Sequence, residues 1–297
     1  MLLLVLFATG VAVDGESAHA RDIAVLATYA YPKYDRAAAL QPLADVLAVR
    51  LKARVVVRLY ESPRALVDAV RSGAADLAVT NTFAGLALLD AGDAQAAAVF
   101  EVPPKTAERY RGVLLASVAS GPVDATTLAQ TPQRWRLAQA LRGSTSGGLV
   151  QDLHLAALGG SGDYAALNYA GSHEGALAAL LAGEVDVAAL ADTPWREALA
   201  REPELASSLR ELWRSPPIPP GPVVCRNGGR ISCDAARKVL LGLHRDAPAA
   251  LASLAGAWSE AAGATRLVTV DRDRYLDLAQ GFRSADARTA ALRRLLD

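Results

Sequence analysis

Ser144, Thr145 and Ser146 lie in a glycine-bracketed run, Gly143-Ser144-Thr145-Ser146-Gly147-Gly148, directly ahead of an apolar helix-like stretch beginning at Leu149. Thr80-Asn81-Thr82 and Ser172-His173 also stand where a strand-like run gives way to a helix-like one. The first turn of a helix leaves main-chain N–H groups unpaired and carries partial positive charge. Small hydroxyl residues and glycine let an anion approach closely and add donors of their own. A tetrahedral oxyanion matches such a ring of donors without any fixed cation. Each segment alone also reads as an ordinary helix cap, because Ser, Thr and Asn are preferred N-cap types. His173 has a ring N–H to donate. A bound anion would raise its pKa and a helix N-terminus would lower it, so its charge stays open. His154 and His244 fall in helix-like runs and read as structural.

Catalytic patterns are weaker. Ser144, His173 and a carboxylate have the types of a hydrolase triad. Yet Thr145 stands at the centre of Gly143-Ser144-Thr145-Ser146-Gly147, where a G-x-S-x-G nucleophile elbow needs Ser. Leu149 occupies the place of Lys in a G-x-x-x-x-G-K-[ST] phosphate loop. The four histidines are scattered and no Cys-x-x-Cys occurs, so no metal-ligand spacing is present. The chain reads as a non-enzyme without a cofactor.

Some set of elements must bring the three polar segments together, and one element pattern is written twice. Residues 65–79 and 176–189 each run from an apolar helix-like stretch into Gly-x-x-Asp and a short apolar strand. The two copies read Gly73-Ala74-Ala75-Asp76 and Gly183-Glu184-Val185-Asp186. The glycine suits a left-handed helix C-cap, and the run after the aspartate suits a buried parallel strand. Two α/β units of one design predict two similar lobes with a ligand between them. Further strands are predicted at 23–27, 55–59, 112–118 and 166–169, with a helix across 42–47. The proline-rich run 213–222 predicts a stiff crossing between lobes, and the remainder from about Ser232 reads as mostly helical. Alternating strands and helices argue for α/β layers.

With 297 residues, 52% of them hydrophobic, the chain is long enough for two lobes. Its formal net charge is zero and no block of like charge occurs, which excludes a nucleic-acid face and favours a small-molecule or protein partner. Residues 2–13 are apolar but too short to span a bilayer, and Ala18-His19-Ala20 offers a signal-peptidase site. Residues 1–20 therefore read as a signal peptide cleaved after Ala20. No basic residue precedes the run, so an uncleaved anchor is the other reading. In the oxidising compartment this implies, Cys225 and Cys233 pair as a disulfide; two buried thiols or a reactive thiol are the alternatives.

Over nearly its whole length the chain resembles the phosphonate/phosphite/phosphate-binding proteins of bacterial ABC importers. The matching segments are Pro42-Leu43-Ala44-Asp45-Val46-Leu47, Gly73 to Asp76, Ser144-Thr145-Ser146-Gly147, Gly171-Ser172-His173-Glu174 with Gly183 to Asp186, and Ser215-Pro216-Pro217-Ile218-Pro219 with Pro222-Val223-Val224. Each is a weak motif, but their order and spacing together are specific. The resemblance implies a type II periplasmic-binding fold: an α/β chain of two lobes joined by two hinge strands, near 113–118 and 213–224. Lobe one would hold 21–116 plus 218–297, and lobe two 117–217. It implies a periplasmic monomer that hands a small phosphorus oxyanion to a membrane permease. The ligand's phosphonate group would sit on Ser144, Thr145, Ser146 and His173. A family tyrosine corresponds to Thr80, beside Asn81, and Tyr31 is the substitute for the missing phenol. Aminophosphonate-binding members carry an aspartate where Gly221 stands, which points to a ligand without an amine: phosphite, phosphate or a simple phosphonate. Asp192 is the candidate acceptor for a protonated oxyanion. The competing reading is a sensor of the same fold that signals an oxyanion to a membrane histidine kinase; an arsenic-type anion held by the Cys225 thiol is one form of it.

Overall fold

A computed structural model describes residues 23–270. The predicted signal peptide and the C-terminal residues beyond 270 lie outside the described residues. Eleven strands are described: β1 (Ile23–Tyr29), β2 (Arg54–Tyr60), β3 (Leu77–Val79), β4 (Ala94–Glu101), β5 (Gly112–Ser117), β6 (Arg136–Gln139), β7 (Ala166–Tyr169), β8 (Val187–Ala191), β9 (Leu209–Arg214), β10 (Val223–Arg226) and β11 (Arg266–Val268). They form two sheets, β11-β4-β10-β3-β1-β2 and β7-β6-β8-β5-β9, with helices packed on them. This is the two-lobe type II arrangement.

The duplicated sequence pattern appears in the topology. The order β2-β1-β3 in one sheet is matched by β7-β6-β8 in the other, all parallel. Next to each triple runs an antiparallel strand, β10 beside β3 and β5 beside β8. Gly73 and Gly183 have φ of 79° and 70°, the left-handed values that end their helices without steric cost. The two aspartates do the same work. Asp76 donates its main-chain N–H to Val25 O at 3.0 Å and accepts the Val25 N–H on Oδ2 at 2.9 Å. Asp186 donates to Arg136 O at 2.9 Å and accepts the Arg136 N–H on Oδ2 at 3.0 Å. Each aspartate thus ties the third strand of its unit to the first.

Strand parity sets the cores. Ala24 and Leu26 of β1 face one layer, with Leu40, Leu43, Leu47 and Trp258; Val25, Ala27 and Tyr29 face the other, with Leu66, Val70 and Phe83. Two further clusters flank the second sheet in the same way.

The lobe boundary differs from expectation. Gly112–Ser117 is not a hinge strand of the first lobe, and the division after residue 116 is too late. All of Val113 to Ala116 is buried, and this strand pairs with β8 on one side and β9 on the other, so its ladder bonds are spent inside the second sheet. The chain crosses earlier, between β4 and β5, through the short helix Pro104–Arg109. It returns through the prolines between β9 and β10; this crossing is not itself a strand, because proline has no N–H to give a ladder. Strands β4, β6 and β11 were not predicted, and β9 and β10 were expected only as a single hinge strand near 213–224. Ala94–Glu101 and Arg136–Gln139 lack β-branched runs, and β11 interrupts the segment read as helical.

Candidate functional site

The three polar segments do begin helices, and each supplies the cap. Asn81 Oδ1 accepts the Ala84 N–H at 2.8 Å, Ser144 Oγ the Gly147 N–H at 3.1 Å, and Ser172 Oγ the Gly175 N–H at 2.8 Å. The capping role and the clustering both hold, because the helices that begin there point their first turns into one cleft.

Within the cleft is a cavity of about 50 Å³, room for roughly three to five waters. Ser144, Thr145, His173 and Glu174 of the second lobe line it, facing Tyr29, Tyr31, Lys33, Arg36, Asn81 and Glu260 of the first, with Tyr110 from the crossing. Of the expected residues, Ser144, Thr145, His173, Asn81 and Tyr31 meet here. Ser146 lies just behind, its hydroxyl 2.9 Å from Tyr110 Oη and 3.4 Å from His173 Nε2. Thr80 does not take part: its hydroxyl donates to Pro222 O at 2.6 Å, holding the proline crossing against the first lobe.

Asn81 also bridges the lobes, since its Nδ2 donates to Gly143 O of the other lobe at 2.9 Å. Thr145 Oγ1 accepts the Phe83 N–H at 2.8 Å. The amides of Phe83, Ala84 and Gly85 in the first turn of the helix Thr82–Asp90 are therefore met by protein oxygens. At the other cap, Tyr31 Oη accepts the His173 N–H at 3.2 Å and donates to Glu174 Oε2 at 3.0 Å. Lys33 Nζ completes this seam, 3.2 Å from Glu174 Oε1. The donors left for a guest are chiefly side chains. Having accepted an amide, the Ser144 and Thr145 hydroxyls each keep a hydrogen to donate.

The open question of the His173 charge is answered by its partners. Nδ1 accepts the Ala191 N–H at 3.1 Å, so the ring proton resides on Nε2, toward Ser146. Loss of hydration pushes the imidazole pKa down to about 4, with Glu174 pulling the other way. His173 is therefore a neutral, single-proton donor at neutral pH. Burial likewise raises the Tyr110 and Tyr31 phenols, which stay protonated.

Sequence reasoning placed no cation at the site, and here the structure corrects it: Lys33 and Arg36 both line the cavity. Arg36 is 3% exposed. It donates to Tyr29 O and Ala257 O at 3.2 Å each, and its guanidinium lies 4.3 and 4.5 Å from the Tyr29 and Trp258 ring centres. Nothing local distinguishes Arg36 in the sequence, since it opens a helix whose other inward residues are apolar. Glu260 and Tyr110 were missed for the same reason, arriving from distant segments. Asp192 is not at the cavity; it pairs with Arg214 at 2.7 Å and Arg196 at 3.1 Å.

Gly221 has a steric cause. A Cβ there would collide with Thr80 O and the Asn81 main chain, so no aspartate fits where the crossing presses on the first lobe. The close approach of the two segments is by itself enough to require glycine at 221, whatever the ligand. Cys225 and Cys233 form a disulfide, with Cα atoms 5.6 Å apart, which removes the thiol that the arsenic-type sensor reading required.

A family model described as "ABC transporter, phosphonate, periplasmic substrate-binding protein" matches residues 25–275. A search of curated proteins found no matching sequence. Among solved structures, the chain is similar to XAC2383 from Xanthomonas citri bound to chloride ion, at 20% identity and a TM-score of 0.68, covering 92% of this chain and 98% of that one. It is similar to PhnD1 from Prochlorococcus marinus in complex with methylphosphonate, at 16% identity and a TM-score of 0.63, covering 90% and 99%. It also resembles a binding protein component of an ABC phosphonate transporter from Pseudomonas aeruginosa, at 19% identity and a TM-score of 0.64, covering 93% and 94%. At these identities the likeness is one of fold.

Proposed function

We propose a function from one premise: the chain belongs to the family of periplasmic substrate-binding proteins of phosphonate ABC transporters. Its ligand is a small phosphorus oxyanion, namely phosphite, phosphate or a simple phosphonate, held between the lobes and delivered to a membrane permease. The observation that carries this reading is the small two-sided cavity, in which the Ser144 and Thr145 hydroxyls and His173 face the buried Arg36. Hydroxyl donors and one neutral imidazole suit several acceptor oxygens, and a buried guanidinium balances their charge. The cavity's size favours a compact anion over one with a long substituent. Closure then needs only tighter binding to the shut form than to the open one.

Calorimetric titration with phosphate, phosphite, methylphosphonate and aminoethylphosphonate tests the reading. One-to-one binding of at least one of the first three is expected, with aminoethylphosphonate weaker. Loss of binding in Ser144→Ala and Arg36→Gln would support the site. Silence across the panel would overturn the reading. The importer role is tested by growth on the bound anion as sole phosphorus source, which should require both this protein and its permease.

A further inference from the structure

Arg36 and Glu260, a base and an acid, are 3% and 6% exposed and line the same cavity. Neither is satisfied by the other. Arg36 is held by two main-chain carbonyls and by aromatic rings. The Glu260 side chain is met by its own main-chain N–H and by its neighbour Ser259, whose hydroxyl lies a long 3.4 Å from Oε2. Buried ionisable groups are normally paired; among the described residues neither Arg36 nor Glu260 makes an ion pair, and both sit on the wall of the cavity. Tyr29, Tyr34 and Tyr110, which lie near Glu260, are neutral phenols, and among the described residues Arg36 is the cation whose field reaches it.

Resting on the oxyanion reading above, we propose that Glu260 selects anions that carry a hydroxyl: its carboxylate accepts a hydrogen bond from the P–OH group of a protonated oxyanion while Arg36 meets a charged oxygen of the same anion. Phosphate keeps at least one proton at neutral pH and brings the required donor. Sulfate has none, so it would place an oxygen against the Glu260 oxygens unless that carboxyl took up a proton from solvent. A burial-raised carboxyl is a strong acceptor, closer in basicity to a phosphate hydroxyl than an exposed glutamate would be. Leaving a buried polar group unmet is what gives such sites their discrimination.

The test is calorimetric titration of the full-length purified protein at neutral pH with phosphate, methylphosphonate and sulfate, for wild type, Glu260→Gln and Glu260→Ala. Wild type should take phosphate about a hundredfold more tightly than sulfate. Glu260→Gln should narrow that ratio to about tenfold or less, because a carboxamide can donate to sulfate. Equal binding of phosphate and sulfate by wild type would overturn the proposal, and this comparison stands even if neither variant folds. So would an unchanged ratio in a folded variant; in both cases the oxyanion pocket would survive. Binding of none of the three anions by wild type would overturn both the proposal and the reading it rests on.

Discussion

The Thr145 hydroxyl of one lobe accepts the Phe83 main-chain N–H of the other at 2.8 Å. A loop that caps its own helix thus also meets the first turn of the opposing one, and this bond between buried groups joins Asn81 Nδ2 to Gly143 O and the Tyr31, His173 and Glu174 seam in holding the cleft shut. Thr145→Val keeps the shape and removes the acceptor. We expect the closed form to lose about 1 kcal/mol. Small-angle scattering of the unliganded protein should show a larger radius of gyration than wild type, and the affinity for the bound oxyanion should fall several-fold. Unchanged scattering would mean that this bond does not bias closure.

The repeated Gly-x-x-Asp motif makes a paired prediction about stability. Asp76 is fully buried and accepts the main-chain amides of Val25 and Arg230 at 2.9 Å each, with Arg230 Nη1 at 3.0 Å. Burial opposes its charge, but these donors hold the carboxyl below the usual aspartate value. Asp186 accepts one amide and a guanidinium from Arg136, whose side chain is itself 44% exposed. Asp76→Ala should therefore cost about 2–4 kcal/mol and Asp186→Ala about 1–2 kcal/mol, measured by urea denaturation. A larger loss at Asp186 would contradict this ranking.

His173 gives the acid response a definite sign. Its folded pKa of about 4 lies below the ordinary 6.5. Between those values the unfolded chain holds a proton that the folded chain refuses, so stability falls as pH drops from 6.5 towards 4 and this contribution levels off below. Glu260, whose carboxyl is raised by burial, has the opposite sign, so the wild-type curve mixes the two. The difference between wild type and His173→Gln isolates the imidazole. It should change by about 1–3 kcal/mol across that window and stay flat above pH 7. A flat difference throughout would place His173 in contact with solvent.

The two-lobe plan was legible because it rests on local patterns: a glycine with positive φ, an aspartate three residues on, and a short apolar strand, each twice. The caps Asn81, Ser144 and Ser172 were legible for the same reason, since capping is a matter between near neighbours. Arg36, Tyr110 and Glu260 were not. Each sits in a segment whose own pattern is unremarkable, and only the crossing of the chain between sheets brings them against Ser144 and His173. Thr80 shows the converse: its type and position were right for a ligand, but a proline carbonyl some 140 residues away took its hydroxyl. Gly221 reads as ligand selection in one dimension and as steric exclusion in three.

The disulfide separates structure from ligand chemistry. Cys225 is wholly buried in β10, and Cys233 opens the helix Cys233–Asp246; neither lines the cavity. The bridge closes a short loop, for which chain entropy alone gives about 2–3 kcal/mol. Reduction, or replacement of both cysteines by Ala, should lower the midpoint of thermal unfolding by several degrees. Oxyanion affinity should stay within about twofold of wild type, because the bridge touches none of the lining residues. An affinity that collapses on reduction while the fold persists would mean that the Cys225 segment transmits strain to the cleft. A gain of affinity for arsenic oxyanions in the reduced protein would restore the thiol as a ligand.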